Sequence, residues 1–318
     1  MTVGFAAATW FNDQPVIMVA SDARISVGAD SVLTDVGVKT YELGGACAAV
    51  ASGAARPPMM AAEVCRSVVE SHNRSTPERR VNFLDTVRLF AYFLKRTASP
   101  QEPPSQVAVA GFLTDGTPCL ALVTIAPGFN KAGFISCPKG STHALPVGTS
   151  EGKVLLLRSI EAGKREGRPR LGSPVATILY MAKHAGAFRS VGGGIAVGAC
   201  KGGGVNFSWP IVEIDGRRYL RGIDVTDSYR PSWPPPEVID YDDSWCASLD
   251  HQVALLDNDF SPDKVIGSIP SIDIDAIDAA SVFMQHNEPT EWSSGSLAML
   301  TPGHPIGGAN TPPSGTAR

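Results

Sequence analysis

Asp22 in ASDARIS, Lys39 in VKTYELGG and Gly53 in AVASGAA stand 17 and 14 residues apart near the start of the chain. Singly, each has an ordinary reading. Asp22 with Arg24 is a surface ion pair, Lys39 a solvated residue at a strand start, and Gly53 a turn glycine before a helix. Thr2 follows the initiator methionine. A threonine hydroxyl is a weak nucleophile unless a base takes its proton, and a terminal α-amino group on the same residue, with a pKa near neutral, can be that base.

Other residue sets point away from other chemistries. Cys47, Cys65, Cys119, Cys137, Cys200 and Cys246 form no CxxC pair and have no histidine at ligand spacing, so buried thiols fit better than a zinc site or a disulfide framework. Asp273, Asp275 and Asp278 lack the glycine and terminal glutamate of a calcium loop. The glycine runs at 192–194 and 202–204 lack the Gly-Lys-Ser/Thr ending of a phosphate loop and read as hairpin turns. Arg79, Arg80, Arg88, Lys95 and Arg96 make one helical region basic without the aromatic interleaving of a nucleic-acid surface. Neither a metal nor a cofactor nor a nucleic-acid partner is expected.

The elements that must position these residues alternate between strands and helix pairs. Residues 3–10 and 15–21 read as a hairpin around Asn12-Asp13, and residues 39–51 as two short strands split by Gly44-Gly45. Pro57-Pro58 opens a helix with a stripe of Met60, Val64 and Val68, and a second helix after Pro77 carries Phe83, Val87, Phe90 and Leu94. Strands follow at Val107 to Leu113 and Cys119 to Ile125, joined by Asp115-Gly116, with another ending near Val147. Ser150 is placed to cap a helix bearing Val154, Leu157 and Ile160, and Ser173-Pro174 opens a fourth with Val175, Ile178, Leu179 and Ala182. The runs IAVGAC, VNFSWPIVEI and RYLRGI close the series as strands. This order predicts an α+β fold in which helices cover both outer faces of two stacked sheets, a four-layer α/β/β/α sandwich.

Charge divides the 318 residues in two. Residues 1–223 hold 24 Lys and Arg against 16 Asp and Glu, whereas residues 224–318 hold 3 against 15, so a +8 domain precedes a −12 extension. Eleven prolines beyond Val225 predict a largely irregular segment, in which Ile272 to Phe283 can dock on the domain. The opening MTVGFAAATWFND has no basic leader, and Asn12-Asp13 interrupts its apolar run, which predicts neither a signal peptide nor a membrane span and a cytoplasmic protein.

Taken together, ASDARIS, VKTYELGG, AVASGAA and the late SVGGGIAV run resemble the β-type subunits of proteasomes and their bacterial relatives, hydrolases of the N-terminal-nucleophile class. The resemblance covers about two thirds of the chain. It implies that Thr2, exposed by loss of Met1, is the catalytic nucleophile and that the positive charge of Lys39 lowers the basicity of the hydroxyl and amine. It further implies that Asp22 orients Lys39 and that the Gly53 N–H meets the oxyanion. It implies a peptide or protein substrate, a homo-oligomeric ring and an unfoldase or other regulator as partner. The interval from Thr2 to Asp22 is four residues longer than in typical relatives, an excess assigned to the FNDQ turn, two residues per strand. An alignment without that excess puts Ala6 at the nucleophile position and describes a catalytically silent structural or regulatory subunit. The family's auxiliary aspartate and serine fall on Phe188 and Val191, and Thr149 can stand in for the helper serine. A third reading is an amidase of the same class acting on a small molecule.

Overall fold

The computed structural model describes residues 3–27, 31–165, 178, 191–202, 207–214, 216–228, 238–240 and 271–274. The first hairpin is β1 (Val3–Phe11) and β2 (Gln14–Asp22), with Phe11 opposite Gln14 and both turn residues, Asn12 and Asp13, at positive φ. This is the two-residue turn whose twist matches that of paired strands, and Asn and Asp tolerate it. A small ribbon follows, β3 (Ile25–Val27) with β4 (Ser31–Thr34), then β5 (Thr40–Gly44) and β6 (Cys47–Ser52) around Gly44-Gly45.

The helix α1 (Arg56–Ser75) begins with its prolines in the first turn, where their missing N–H groups are not needed. Its buried face is Ala61, Ala62, Cys65 and Val69, whereas Met60 and Val64 are 40% and 43% exposed. Of the expected stripe, Val68 packs against the core while Met60 and Val64 face outward; the helix packs mainly its small side chains against β5. The helix α2 (Phe83–Thr97) buries the face expected of it, Phe83, Val87, Phe90 and Leu94. Asn82 caps it by accepting the Asp85 N–H at 2.9 Å and donating back to the Asp85 carboxylate at 2.8 Å.

The chain continues through β7 (Ser105–Phe112), β8 (Pro118–Ala126), β9 (Phe129–Ser136) and β10 (Thr142–Gly148) into α3 (Ser150–Arg165). The cap of α3 is Thr149, one residue before the expected Ser150: its Oγ1 accepts the Gly152 N–H at 3.1 Å. Of the segment expected as a fourth helix, Ile178 is described, helical and fully buried; Val175, Leu179 and Ala182 lie outside the described residues. The remaining strands are β11 (Ile195–Lys201), β12 (Ile211–Ile214), β13 (Arg217–Leu220), β14 (Ile223–Asp224), β15 (Val238–Asp240) and β16 (Ser271–Asp273).

The fold is mixed α+β. One sheet has the order β10-β1-β2-β11 and a second the order β16-β9-β8-β7-β6-β5, with a smaller sheet β14-β13-β12-β15 beside them. Ala6, Ala8, Ile17 and Val19 of the first sheet share a buried cluster with Ala48, Val50, Ala108 and Leu120 of the second. A Cβ added to Gly4 would stand 2.6 Å from a methyl of Val50, so small residues here let the sheets approach closely. The second sheet's other face meets α1 and α2 in another cluster, including Leu43, Val69, Phe90, Leu94 and Val109. Contacts of α3 are with β10 and β1.

Two short strands of the acidic segment join these sheets. β15 runs parallel to β12, and β16 runs antiparallel to β9 with Asp273 opposite Lys131. Ile274, the next residue, is 2% exposed in the α1/α2 cluster. Part of the expected apolar docking segment is thus seated, while residues 275–283 lie outside the described residues. No helix among the described residues is long and apolar enough to cross a membrane.

Candidate active site

Asp22 ends β2 with its side chain fully buried. One carboxylate oxygen accepts the Val3 N–H at 3.0 Å and the Lys39 ammonium at 2.9 Å. The other accepts the N–H groups of Arg24 and Gly192, both at 3.2 Å. Four donors on two oxygens satisfy a buried carboxylate, which would otherwise be expensive to remove from water.

Lys39 precedes β5, and its carbonyl accepts the Ala51 N–H at 3.0 Å, which anchors it beside the strand that leads to Gly53. Burial pushes the Lys39 ammonium below its ordinary pKa, and the charge and hydrogen bond of Asp22 oppose that shift. The lysine is therefore a buried ammonium in contact with a buried carboxylate, its proton affinity a balance in which desolvation outweighs the pull of Asp22.

Arg24 makes a two-pronged bond to Asp35, at 2.6 and 3.2 Å, and lines the same cavity as Lys39. Asp22, its expected partner, accepts the Arg24 backbone N–H. The segment from Gly192 to Gly194 is not a hairpin turn; it brings main chain against Asp22 and into β11. A Cβ at Gly192 would stand 2.5 Å from the Arg24 guanidinium carbon, and one at Gly193, whose φ is +72°, would stand 2.3 Å from the Asp35 carbonyl oxygen. At Gly193, where the neighbour is main chain, glycine is needed for close approach; at Gly192 the arginine head can shift to make room.

Gly53 follows β6 and is exposed, with φ +95°. A Cβ there would fall 1.8 Å from the Pro104 carbonyl oxygen, so no side chain fits. Among the described residues its N–H makes no hydrogen bond. Lys39 and Gly53 line one cavity of about 30 Å³, closed by Tyr41, Ala51 and Ala54. That volume holds a water molecule or a small side chain. The Tyr41 hydroxyl donates to the Val38 carbonyl at 3.0 Å, and burial pushes its pKa up to about 12, so it stays protonated.

Thus Asp22 and Lys39 form a buried pair, and Lys39 and Gly53 share a cavity. Thr2 lies outside the described residues; one peptide bond joins it to the Val3 nitrogen that donates to Asp22. Ala6 lies in mid-strand opposite Val19, fully buried between the sheets. Thr149 spends its hydroxyl capping α3. Phe188 and Ser190 lie outside the described residues, and Val191 is buried. The N–H groups of Val3 and Gly192 were not readable as site groups, because a backbone donor has no residue type to mark it. Among the described residues no group of three or more His, Cys, Asp or Glu is placed to hold a metal ion. The described cysteines, Cys47, Cys65, Cys119, Cys137 and Cys200, are buried, and Cys246 lies outside the described residues. No family model matches the chain, and no curated protein matches it.

Proposed function

We propose that the chain is an amide-bond hydrolase of the N-terminal-nucleophile class, a proteasome-type threonine peptidase built on a four-layer α/β/β/α sandwich. The observation that carries this reading is the run of contacts from the Val3 N–H through Asp22 to Lys39, which brings a buried cation within one residue of Thr2.

In this reading Met1 is removed, and the α-amine of Thr2 takes the hydroxyl proton as the Oγ attacks the amide carbon. The oxyanion forms against the Gly53 N–H, which makes no hydrogen bond among the described residues. The amine, now protonated, delivers its proton to the leaving nitrogen as the C–N bond breaks, leaving an acyl ester on Thr2. Water cleaves the ester, its proton returning to Oγ through the same amine. Lys39 favours the deprotonated Oγ electrostatically, and Asp22 positions Lys39. The small cavity beside Gly53 admits a small side chain next to the scissile bond. As in the resembling family, the protein assembles into a homo-oligomeric ring, so sedimentation at micromolar concentration shows a species several times the chain's mass; a monomer alone contradicts the ring.

The test is hydrolysis of short fluorogenic peptides with small residues at the cleaved bond. Thr2→Ala and Lys39→Ala are expected to lose turnover while keeping the native circular dichroism spectrum. Undiminished turnover in Thr2→Ala removes Thr2 from the reaction.

A further inference from the structure

We propose that the protein carries a second binding site, for a short acidic peptide with an aromatic side chain, in the cleft at the opposite end of β6 from Gly53. Cys47, which opens β6, lines this cleft, and Gly53 follows the strand's other end, so β6 separates the two sites by about 17 Å. The cleft encloses about 600 Å³, against about 30 Å³ beside Gly53. That is the size of a pocket for a ligand of a few residues.

Its composition has two parts. Phe112, Leu113 and Phe207 form an apolar wall, and Phe207 is backed by Trp209 with ring centres 5.9 Å apart. An aromatic ring gains from such a surface both by leaving water and by ring packing. Arg74 and Arg80, at the end of α1 and in the loop after it, supply the charged part, and both are exposed.

The balance of charge decides what the cleft attracts. It also contains Glu42 and Glu70, but both already face a partner: Glu42 accepts the Trp209 indole N–H at 2.6 Å, and Glu70 forms an exposed ion pair with Arg66 at 3.8 Å. Neither arginine is so engaged. Arg74 donates its Nε to the Glu70 carbonyl at 3.3 Å, and among the described residues neither Arg74 nor Arg80 has a carboxylate partner. A guanidinium presents planar paired donors that match a carboxylate. Two such groups above an aromatic wall select a ligand that joins carboxylates to a ring.

A peptide fits better than a lone aromatic acid because the cleft is also bordered by main chain. The β5–β6 turn at Gly44, Gly45 and Ala46 forms one edge and the β7–β8 turn through Gly116 another. Asn73 accepts the Val81 N–H at 2.8 Å, and its Nδ2 stands 3.7 Å from the Cβ position of Gly45. Its amide can thus donate to a backbone carbonyl.

The full-length protein, titrated calorimetrically with acetyl-Asp-Asp-Trp, tests this proposal. Saturable one-to-one binding is expected, at least about tenfold weaker for Arg74→Glu and for Arg80→Glu and weaker by a similar factor for acetyl-Asn-Asn-Trp amide and acetyl-Asp-Asp-Ala. Raising salt from about 50 to about 500 mM weakens it, since exposed charge pairs are screened. Lys39→Ala binds as the wild type does, which separates this site from the catalytic one. Lack of saturable binding at millimolar peptide overturns the proposal, as does affinity that neither charge reversal alters.

Discussion

The Asp22 carboxylate gathers donors from four parts of the chain: β1, its own strand's end, the residue before β5, and the glycine run before β11. Removing it takes the carboxylate from a buried ammonium and the acceptor from three N–H groups together, so Asp22→Ala is expected to lose about 3–5 kcal/mol in denaturant unfolding. Lys39→Ala leaves those three N–H groups on the carboxylate and is expected to lose less, about 2–3 kcal/mol. Equal losses would mean that the N–H groups contribute little. The lysine also leaves a mark on pH dependence. Its folded pKa lies below the ordinary 10.5, so between the two values the unfolded chain binds more protons and stability rises with pH. Lys39→Met is expected to lack that alkaline rise, and Asp22→Asn to start it at lower pH. The pair was legible only through the family resemblance of the motifs around Asp22 and Lys39; read singly, the two residues pointed to a surface ion pair with Arg24 and a solvated lysine, and both are buried instead. Gly192 was not legible, because its contribution is a main-chain N–H, and its neighbours looked like turn residues when they are residues of close approach.

Among the elements, those whose large residues face the core were the readable ones. Phe83, Val87, Phe90 and Leu94 mark the buried face of α2 because that helix fills space against β7 and β8. On α1 the same reasoning found only the edge of the buried face: Val68 packs against the core, but the helix lies on β5 through Ala61, Ala62, Cys65 and Val69, and its larger Met60 and Val64 are left outside. Phe90→Ala is therefore expected to cost about 3–5 kcal/mol and Met60→Ala less than about 0.5 kcal/mol, as read from unfolding midpoints. Comparable losses at the two positions would contradict this assignment of faces. The strands β3, β4, β9, β15 and β16 were not anticipated as strands. β16 in particular is three residues long, and its partner β9 lies far earlier in the chain, so no local period announces it.

For the whole molecule, the sign change at residue 224 is visible in composition, yet the later segment contributes to the earlier sheets through β15 and β16. Asp273 stands opposite Lys131 in the register of β16 and β9, and Ile274 adds apolar burial that salt does not screen. A chain ending after Asp224 is expected to fold but to melt about 5 °C lower, because it loses the Ile274 contacts and opens the β9 edge. Unchanged melting would show that this segment adds nothing to the domain. The packing of the two large sheets through alanines followed from the small-residue strands, and their glycine-assisted closeness positions β2 and β6 so that Asp22 meets Lys39, which shares a cavity with Gly53. Whether that meeting serves a threonine nucleophile is best read by mass spectrometry after treatment with a β-lactone acylating agent. The protein is expected to lack Met1 and to carry one acyl group on Thr2, and Lys39→Ala is expected to lose that acylation. Retained Met1, or an acyl group on any other residue with Thr2 unmodified, would contradict an N-terminal threonine hydrolase.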